Sequence, residues 1–190
     1  MQIDVKIITE AGFQESLNGL ALNKKQKKDM KPVADKLAKM DGGHNKFLES
    51  IYMWLSITAP RYWWQEADTY RYSTKQSEST MHTLKQDLNT EWKNFINLFE
   101  DEISLDILGV YYQLVQTQLK SVVVDEVFLK ANLPESFMQK RSWVLNYKSM
   151  RNIISQRKNH RLPHWRKFVN EIMKQCEHPE FFEDLFKNKN

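Results

Sequence analysis

A single cysteine, Cys176, only 5 glycines and 5 prolines, and no apolar run long enough to cross a membrane mark this 190-residue chain. Each shortage excludes something. One cysteine cannot close an internal disulfide, and Cys176 has no neighbouring ligand cluster, so no metal site is expected and a reducing cytosol suits the chain. So few glycines and prolines argue against a turn-rich all-β fold. The first residues lack the basic-then-apolar layout of a secretory signal, so the expectation is a cytoplasmic protein without membrane contact. The net charge is only +4. Its basic clusters are KKQKKDMK at 24–31, RKNHR at 157–161 and HWRK at 164–167. They read as solvated helix faces or small-anion sites, and nucleic acid is not the expected partner. The lysine-rich run itself has no assigned chemistry beyond solubility.

What is present suits a globular core. Hydrophobic residues make up 41% and aromatics 12%, enough for one domain over 1–190. Ile3, Val5 and Ile7 alternate with polar residues and predict a first strand. A helix is expected over about 32–40, with Pro32 in its first turn and Gly42-Gly43 ending it. Ile51, Met53, Leu55 and Ile57 alternate again, predicting a strand over about 49–58 that Ala59-Pro60 closes. Pro60 then opens an aromatic helix to about Arg71. Two long helices are predicted at 83–99 and 105–129, the second carrying Ile107, Val110, Tyr111, Leu114 and Leu119 near one face for core packing or subunit contact. A strand over 137–145 and helices over 147–156, 162–175 and 179–187 complete the reading. Strands mixed with helices of unequal length define an α+β class, with a mixed or antiparallel sheet flanked by long helices.

Between the aromatic helix and the first long helix lies YRYSTKQSES, residues 70–79, expected to form a tight turn. It spaces Arg71, Thr74, Gln76 and Ser79 by three, two and three residues. A guanidinium followed by hydroxyls and an amide is suited to phosphates and sugar hydroxyls. The plain alternative is a polar loop with an exposed arginine.

Four groups of residues at fixed distances resemble the flavin-dependent thymidylate synthases. Gly43-His44, with Glu49 five residues after the histidine, resembles the family's Gly-His followed by Phe-Glu-His, although Leu48 and Ser50 replace the flanking residues. Ala59-Pro60 stands at the family's distance before Arg71. Thr69 to Met81, TYRYSTKQSESTM, is similar to the signature Arg-His-Arg-x-x-Ser-x-Asn-x-x-Ser-x-Arg. Leu133-Pro134, Asn146, Asn152 and Arg157 match the family's Leu-Pro, flavin-side asparagines and catalytic arginine.

That resemblance implies an enzyme moving a one-carbon unit from methylenetetrahydrofolate to dUMP, with FAD as hydride carrier and NADPH as reductant, and a homotetramer whose subunits share active sites. It implies Arg157 as the catalytic group that stabilises negative charge on the pyrimidine. It implies Thr69, Tyr70, Arg71, Thr74, Gln76, Asn146, Lys148 and Asn152 at FAD, and Ser77, Ser79, Met81, Lys130 and Arg157 at the nucleotide. His44 and Glu49 fall on the folate or flavin side, and His160 and His164 near the flavin ring. Plainer readings stand beside these: Arg157 as a helix-end cation, Asn146 as a helix cap, His44 as structural, and Tyr62, Trp63 and Trp64 as core rather than stacking residues.

Departures from the signature leave the substrate open. Thr69 and Met81 replace arginines, Tyr70 replaces the histidine, Ser77 an acid, and Lys130 and Lys148 two further arginines. A charge-assisted hydrogen bond contributes about 1.5–3 kcal/mol, so nucleotide affinity falls unless Lys130, Lys148, Lys75, Arg151 or Arg161 substitutes. The alternatives are a scaffold that modifies another pyrimidine nucleotide, for example by hydroxymethylation, and a catalytically silent relative that binds a nucleotide or a protein.

Overall fold

The N-terminal alternation becomes β1 (Asp4–Ala11), with Ile3 and Val5 buried. The computed structural model describes residues 2–23, 29–40, 43–101 and 103–187, without the Met81 side chain. Strands β2 (Tyr52–Pro60), β3 (Ser73–Ser77) and β4 (Met138–Asn146) join β1 in one antiparallel sheet of order β1-β2-β4-β3. In β2 the odd-numbered Met53, Leu55, Ile57 and Ala59 are fully buried while Tyr52 is exposed, the period-two pattern read from the sequence. The α+β class is what the chain adopts.

The chain divides into two compact units. The first comprises Thr58–Thr69 and Gln76–Arg141 with the first four residues. It holds α3 (Arg61–Ala67), α4 (Thr80–Leu88), α5 (Trp92–Phe95), α6 (Leu105–Leu119) and α7 (Glu126–Ala131). Its core gathers Leu84, Leu88, Phe95, Phe99, Tyr111 and Leu129, among others. The second unit comprises Val5–Ile57, Tyr70–Lys75 and Ser142–Asn190. It holds α1 (Phe13–Leu22), α2 (Lys31–Ala38), α8 (Tyr147–Arg157) and α9 (Pro163–Gln175), with Trp143, Tyr147, Ile154, Trp165, Phe168 and Ile172 buried.

Several sequence expectations need correction. The predicted turn over 70–79 contains an edge strand, β3, in which Thr74 favours extended backbone and no glycine or proline interrupts pairing. The aromatic helix ends at Ala67, where the Asp68 N–H closes onto Glu66 O and Trp64 O. The strand expected from residue 49 begins at Tyr52, because Lys46–Ser50 form a 3-10 turn that buries both Phe47 and Leu48. Adjacent residues cannot share one face of a strand.

Neither long helix is continuous. The first breaks after Leu88, and a short 3-10 turn, Ile96–Leu98, follows α5. The second breaks across Ser121 to Asp125, where three consecutive valines disfavour helix and the Asp125 carboxylate caps α7 by accepting from Phe128 N at 2.9 Å. The C-terminal helix is replaced by two 3-10 turns, Pro179–Phe181 and Glu183–Phe186. Helix α2 ends at Ala38, before the expected glycine stop; Gly42 lies outside the described residues, as do 24–28 of the lysine-rich run.

Helix α1 was not foreseen. Gly12 precedes it at φ 93°, and a Cβ there would sit 2.1 Å from Ser50 O, so only glycine makes this turn.

Candidate active site

Arg157 ends α8 at the centre of a packed group in the second unit. Its Nε donates to the Tyr70 hydroxyl at 2.7 Å. Its Nη1 lies 2.7 Å from His160 Nε2. The guanidinium carbon stands 4.6 Å above the Trp165 ring and 5.5 Å from that of Tyr70. Tyr70 OH donates in turn to Gln156 Oε1 at 3.0 Å, and Gln156 Nε2 to Asn152 Oδ1 at 3.1 Å. The guanidinium is thus oriented by one hydroxyl, one imidazole and two aromatic faces, which is more than a helix-end charge requires. Placement at the C-terminal end of α8 also suits its charge.

The backbone between Tyr70 and β3 is tied down around this group. Ser73 Oγ donates to Tyr70 O at 2.8 Å, and Lys75 Nζ donates to the same carbonyl at 3.1 Å while lying 4.7 Å from the Trp143 ring. Ser149 Oγ donates to Tyr72 O at 3.2 Å. Arg71 itself is exposed and has no partner among the described residues; Thr74 and Gln76 are exposed on β3.

The other expected cofactor-side residues are partly committed. Asn146 Oδ1 accepts from Ser149 N at 2.9 Å, the cap read as the plainer alternative, which leaves its amide NH2 for another acceptor. Lys148 pairs with Glu49 at 2.6 Å. Thr69 Oγ1 donates to Glu66 O at 2.7 Å. His44 is exposed, beside a cavity of about 490 Å³ that Glu49 also lines. His164 is buried against α9's core neighbours, whereas His160 meets Arg157. Trp63 and Trp64 are fully buried, and Trp64 Nε1 donates to Gln139 O at 3.0 Å, so both belong to the core.

Two suggested substitutes for missing arginines are already occupied. Arg151 pairs bidentately with Asp184 and donates to Phe181 O at 2.6 Å, with its side chain only 11% exposed. Lys75 is held as described above. Cys176 is buried, and burial together with Glu10 pushes its thiol up to about 12, which removes it as a nucleophile.

In the first unit a cavity of about 290 Å³ brings Ser77 and Lys130 together, two of the expected nucleotide contacts. Ser79 precedes α4 as its N-cap residue, and the Met81 side chain lies outside the described residues. Arg61 and Arg141 line the same cavity. Neither was singled out from the sequence. Their only signal was a cation immediately after Pro60 and another, next to Lys140, in the middle of a strand.

Comparison with known proteins gives the family and the fold. The sequence model of one family, described as "Thymidylate synthase complementing protein", matches residues 5–179. The chain belongs to this family. No curated protein matches its sequence. Among solved structures it is similar to thymidylate synthase X from Helicobacter pylori, crystallised with FAD and dUMP. The TM-score is 0.81 at 15% identity, covering 98% of this chain and 100% of that one. A second structure of the flavin-dependent enzyme from that organism, also with FAD and dUMP, gives 0.81 and 15% over 97% and 100%. A UMP/dUMP methylase, PolB from Streptomyces cacaoi bound with 5-Br UMP, gives 0.66 and 13% over 97% and 95%. These likenesses establish the fold.

Proposed function

We propose that this chain is a flavin-dependent thymidylate synthase, transferring a one-carbon unit reductively from methylenetetrahydrofolate to dUMP with FAD and NADPH. The observation that carries this reading is the oriented Arg157 guanidinium, a residue that the resemblance in the sequence matches to the family's catalytic arginine. A permanently charged group, fixed by Tyr70 and His160, stabilises negative charge on a pyrimidine carbonyl as it develops, at little cost in reorganisation.

The donor set fits FAD. Arg71 offers an uncommitted guanidinium for a diphosphate, Thr74 and Gln76 add a hydroxyl and an amide on an edge strand, and Asn146 and Asn152 offer amide groups for ring atoms. When bound, FAD supplies the hydride-carrying chemistry that amino-acid side chains lack. The chain's share is to bind, to orient and to place charge. Lys130 with Ser77 and Ser79 serves the nucleotide, and His44 and Glu49 border the folate side. A homotetramer in the cytoplasm is part of the same reading, supported by Ile107 and Val110, which α6 leaves 63% and 69% exposed.

A second reading keeps the scaffold and changes the nucleotide. The replaced signature cations at Thr69 and Met81 favour it, as does the likeness to a fold that accepts UMP or dUMP. The test is to load the purified protein with FAD and supply NADPH, methylenetetrahydrofolate and either dUMP or UMP. The expected result is thymidylate from dUMP, abolished in Arg157→Ala while FAD is retained. Product from UMP alone selects the second reading. A colourless protein that takes up no FAD points instead to a silent relative.

A further inference from the structure

The signature of this chain has lost two cations, yet the 290 Å³ cavity of the first unit is strongly basic. Three positive side chains from three elements line it: Arg61 from the first position of α3, Lys130 from the last turn of α7, and Arg141 from β4. Glu78 is the one carboxylate among its described lining residues. Thr80, the first residue of α4, also lines it. The Ser79 side chain makes no cap hydrogen bond, so N–H groups of the first helical turn add partial positive charge there.

Both arginines are held in place without being used up. Arg61 Nη1 donates to Leu133 O at 2.6 Å and its Nη2 meets Glu135 at 3.2 Å. Arg141 lies 4.6 Å over the Trp64 ring, meets Asp68 at 3.1 Å through Nη1 and Gln139 Oε1 at 2.9 Å through Nη2. Its Nε is buried with no hydrogen-bond partner among the described residues. Such a donor is costly to leave unmet. The carboxylates that meet the two arginines, Glu135 and Asp68, are 48% and 50% exposed. Pairs of that kind are weak and yield to a dianion that can accept from several donors at once. Lys130 is exposed and has no partner among the described residues.

We propose that Arg61 and Arg141, neither of them a signature residue, hold the phosphate of the nucleotide together with Lys130, and so replace the cation absent at Met81. The cavity is near the small end of ligand-sized pockets, suited to a phosphorylated fragment rather than a dinucleotide. This inference rests on the reading of the chain as a pyrimidine-nucleotide enzyme.

Calorimetric titration of the FAD-loaded protein with dUMP and with deoxyuridine tests it, the difference in affinity being the share due to phosphate. Arg61→Gln and Arg141→Gln are expected to weaken dUMP about ten- to hundredfold each and to leave deoxyuridine unchanged. The charge-preserving Arg61→Lys and Arg141→Lys, which guard against misfolding, recover part of the loss. Lys85→Gln, an exposed change near the end of α4, leaves both ligands unaffected. Wild-type binding of dUMP that persists in both Gln variants overturns the inference while the functional reading stands. A wild-type protein that binds neither dUMP nor UMP overturns both.

Discussion

At the scale of single residues, the proposed function turns on the contact between Tyr70 and Arg157. Tyr70, which the resemblance matches to a family histidine, accepts from Arg157 Nε–H through its hydroxyl and donates to Gln156 Oε1. On the proposed function Tyr70 acts through Arg157, as a positioning residue. Tyr70→Phe keeps the ring packing against Trp143 and Trp165 and removes only the hydroxyl. A hydrogen bond to a charged group is lost, and kcat is expected to fall about tenfold or more with KM for dUMP and FAD content little changed. Steady-state kinetics with a flavin absorbance check decide this. An unaltered kcat shows that His160 and Trp165 suffice to hold the guanidinium. Arg71 and Arg157 were singled out in the sequence by the resemblance to the family's motifs. Arg61 and Arg141 were not, because nothing in a linear sequence brings the start of one helix beside the middle of a distant strand.

At the scale of elements, local pattern succeeded where burial is periodic and failed where it is not. The alternation in β1 and β2 and the helical pattern of α8 and α9 follow directly from burial of Ile3, Val5, Met53, Leu55, Ile57, Met150, Ile153, Ile154, Phe168 and Ile172. Strand β3 was hidden because an edge strand of serine, threonine, lysine and glutamine carries no apolar period. The helix breaks at Asn89 and at Val122 to Val124 were hidden by continuing apolar residues on either side. On α6 the buried stripe is Leu108, Tyr111 and Val115; of the expected face Tyr111 is buried, whereas Ile107 and Val110 are exposed. Helix α1 depends on Gly12, whose conformation only the fold reveals. Gly12→Ala forces a left-handed backbone on alanine and drives a methyl group into Ser50 O. The expected cost is about 1–3 kcal/mol or more, visible as a lower urea midpoint with unchanged slope. A variant as stable as wild type contradicts the assigned turn.

At the scale of the whole molecule, the second unit is fastened by Glu10 on β1. Its carboxylate accepts from Tyr147 OH at 2.9 Å and from Glu177 N at 2.7 Å, joining β1 to α8 and to the segment after α9. Burial raises the Glu10 pKa above the ordinary carboxyl value, and the two hydrogen bonds oppose that rise without cancelling it. With the folded pKa raised, the folded state binds more protons than the unfolded one between the two values. The Glu10 contribution to stability is therefore full below about pH 4.5 and declines as pH rises through the folded pKa. Glu10→Gln is expected to flatten that part of the pH–stability curve, measured as unfolding midpoints from pH 4 to about 7. An unchanged slope assigns the pH dependence to other groups.

Membership of the family and the arrangement around Arg157 both support the function proposed above, that of a flavin enzyme that fixes a guanidinium against a pyrimidine nucleotide. Its most direct test is product analysis of the FAD-reconstituted protein supplied with NADPH, methylenetetrahydrofolate and dUMP. The account predicts a yellow protein that oxidises NADPH and forms thymidylate, and an Arg157→Ala variant that stays yellow and forms none. A wild-type protein that remains colourless with added FAD, or an Arg157→Ala variant that turns over at the wild-type rate, contradicts it.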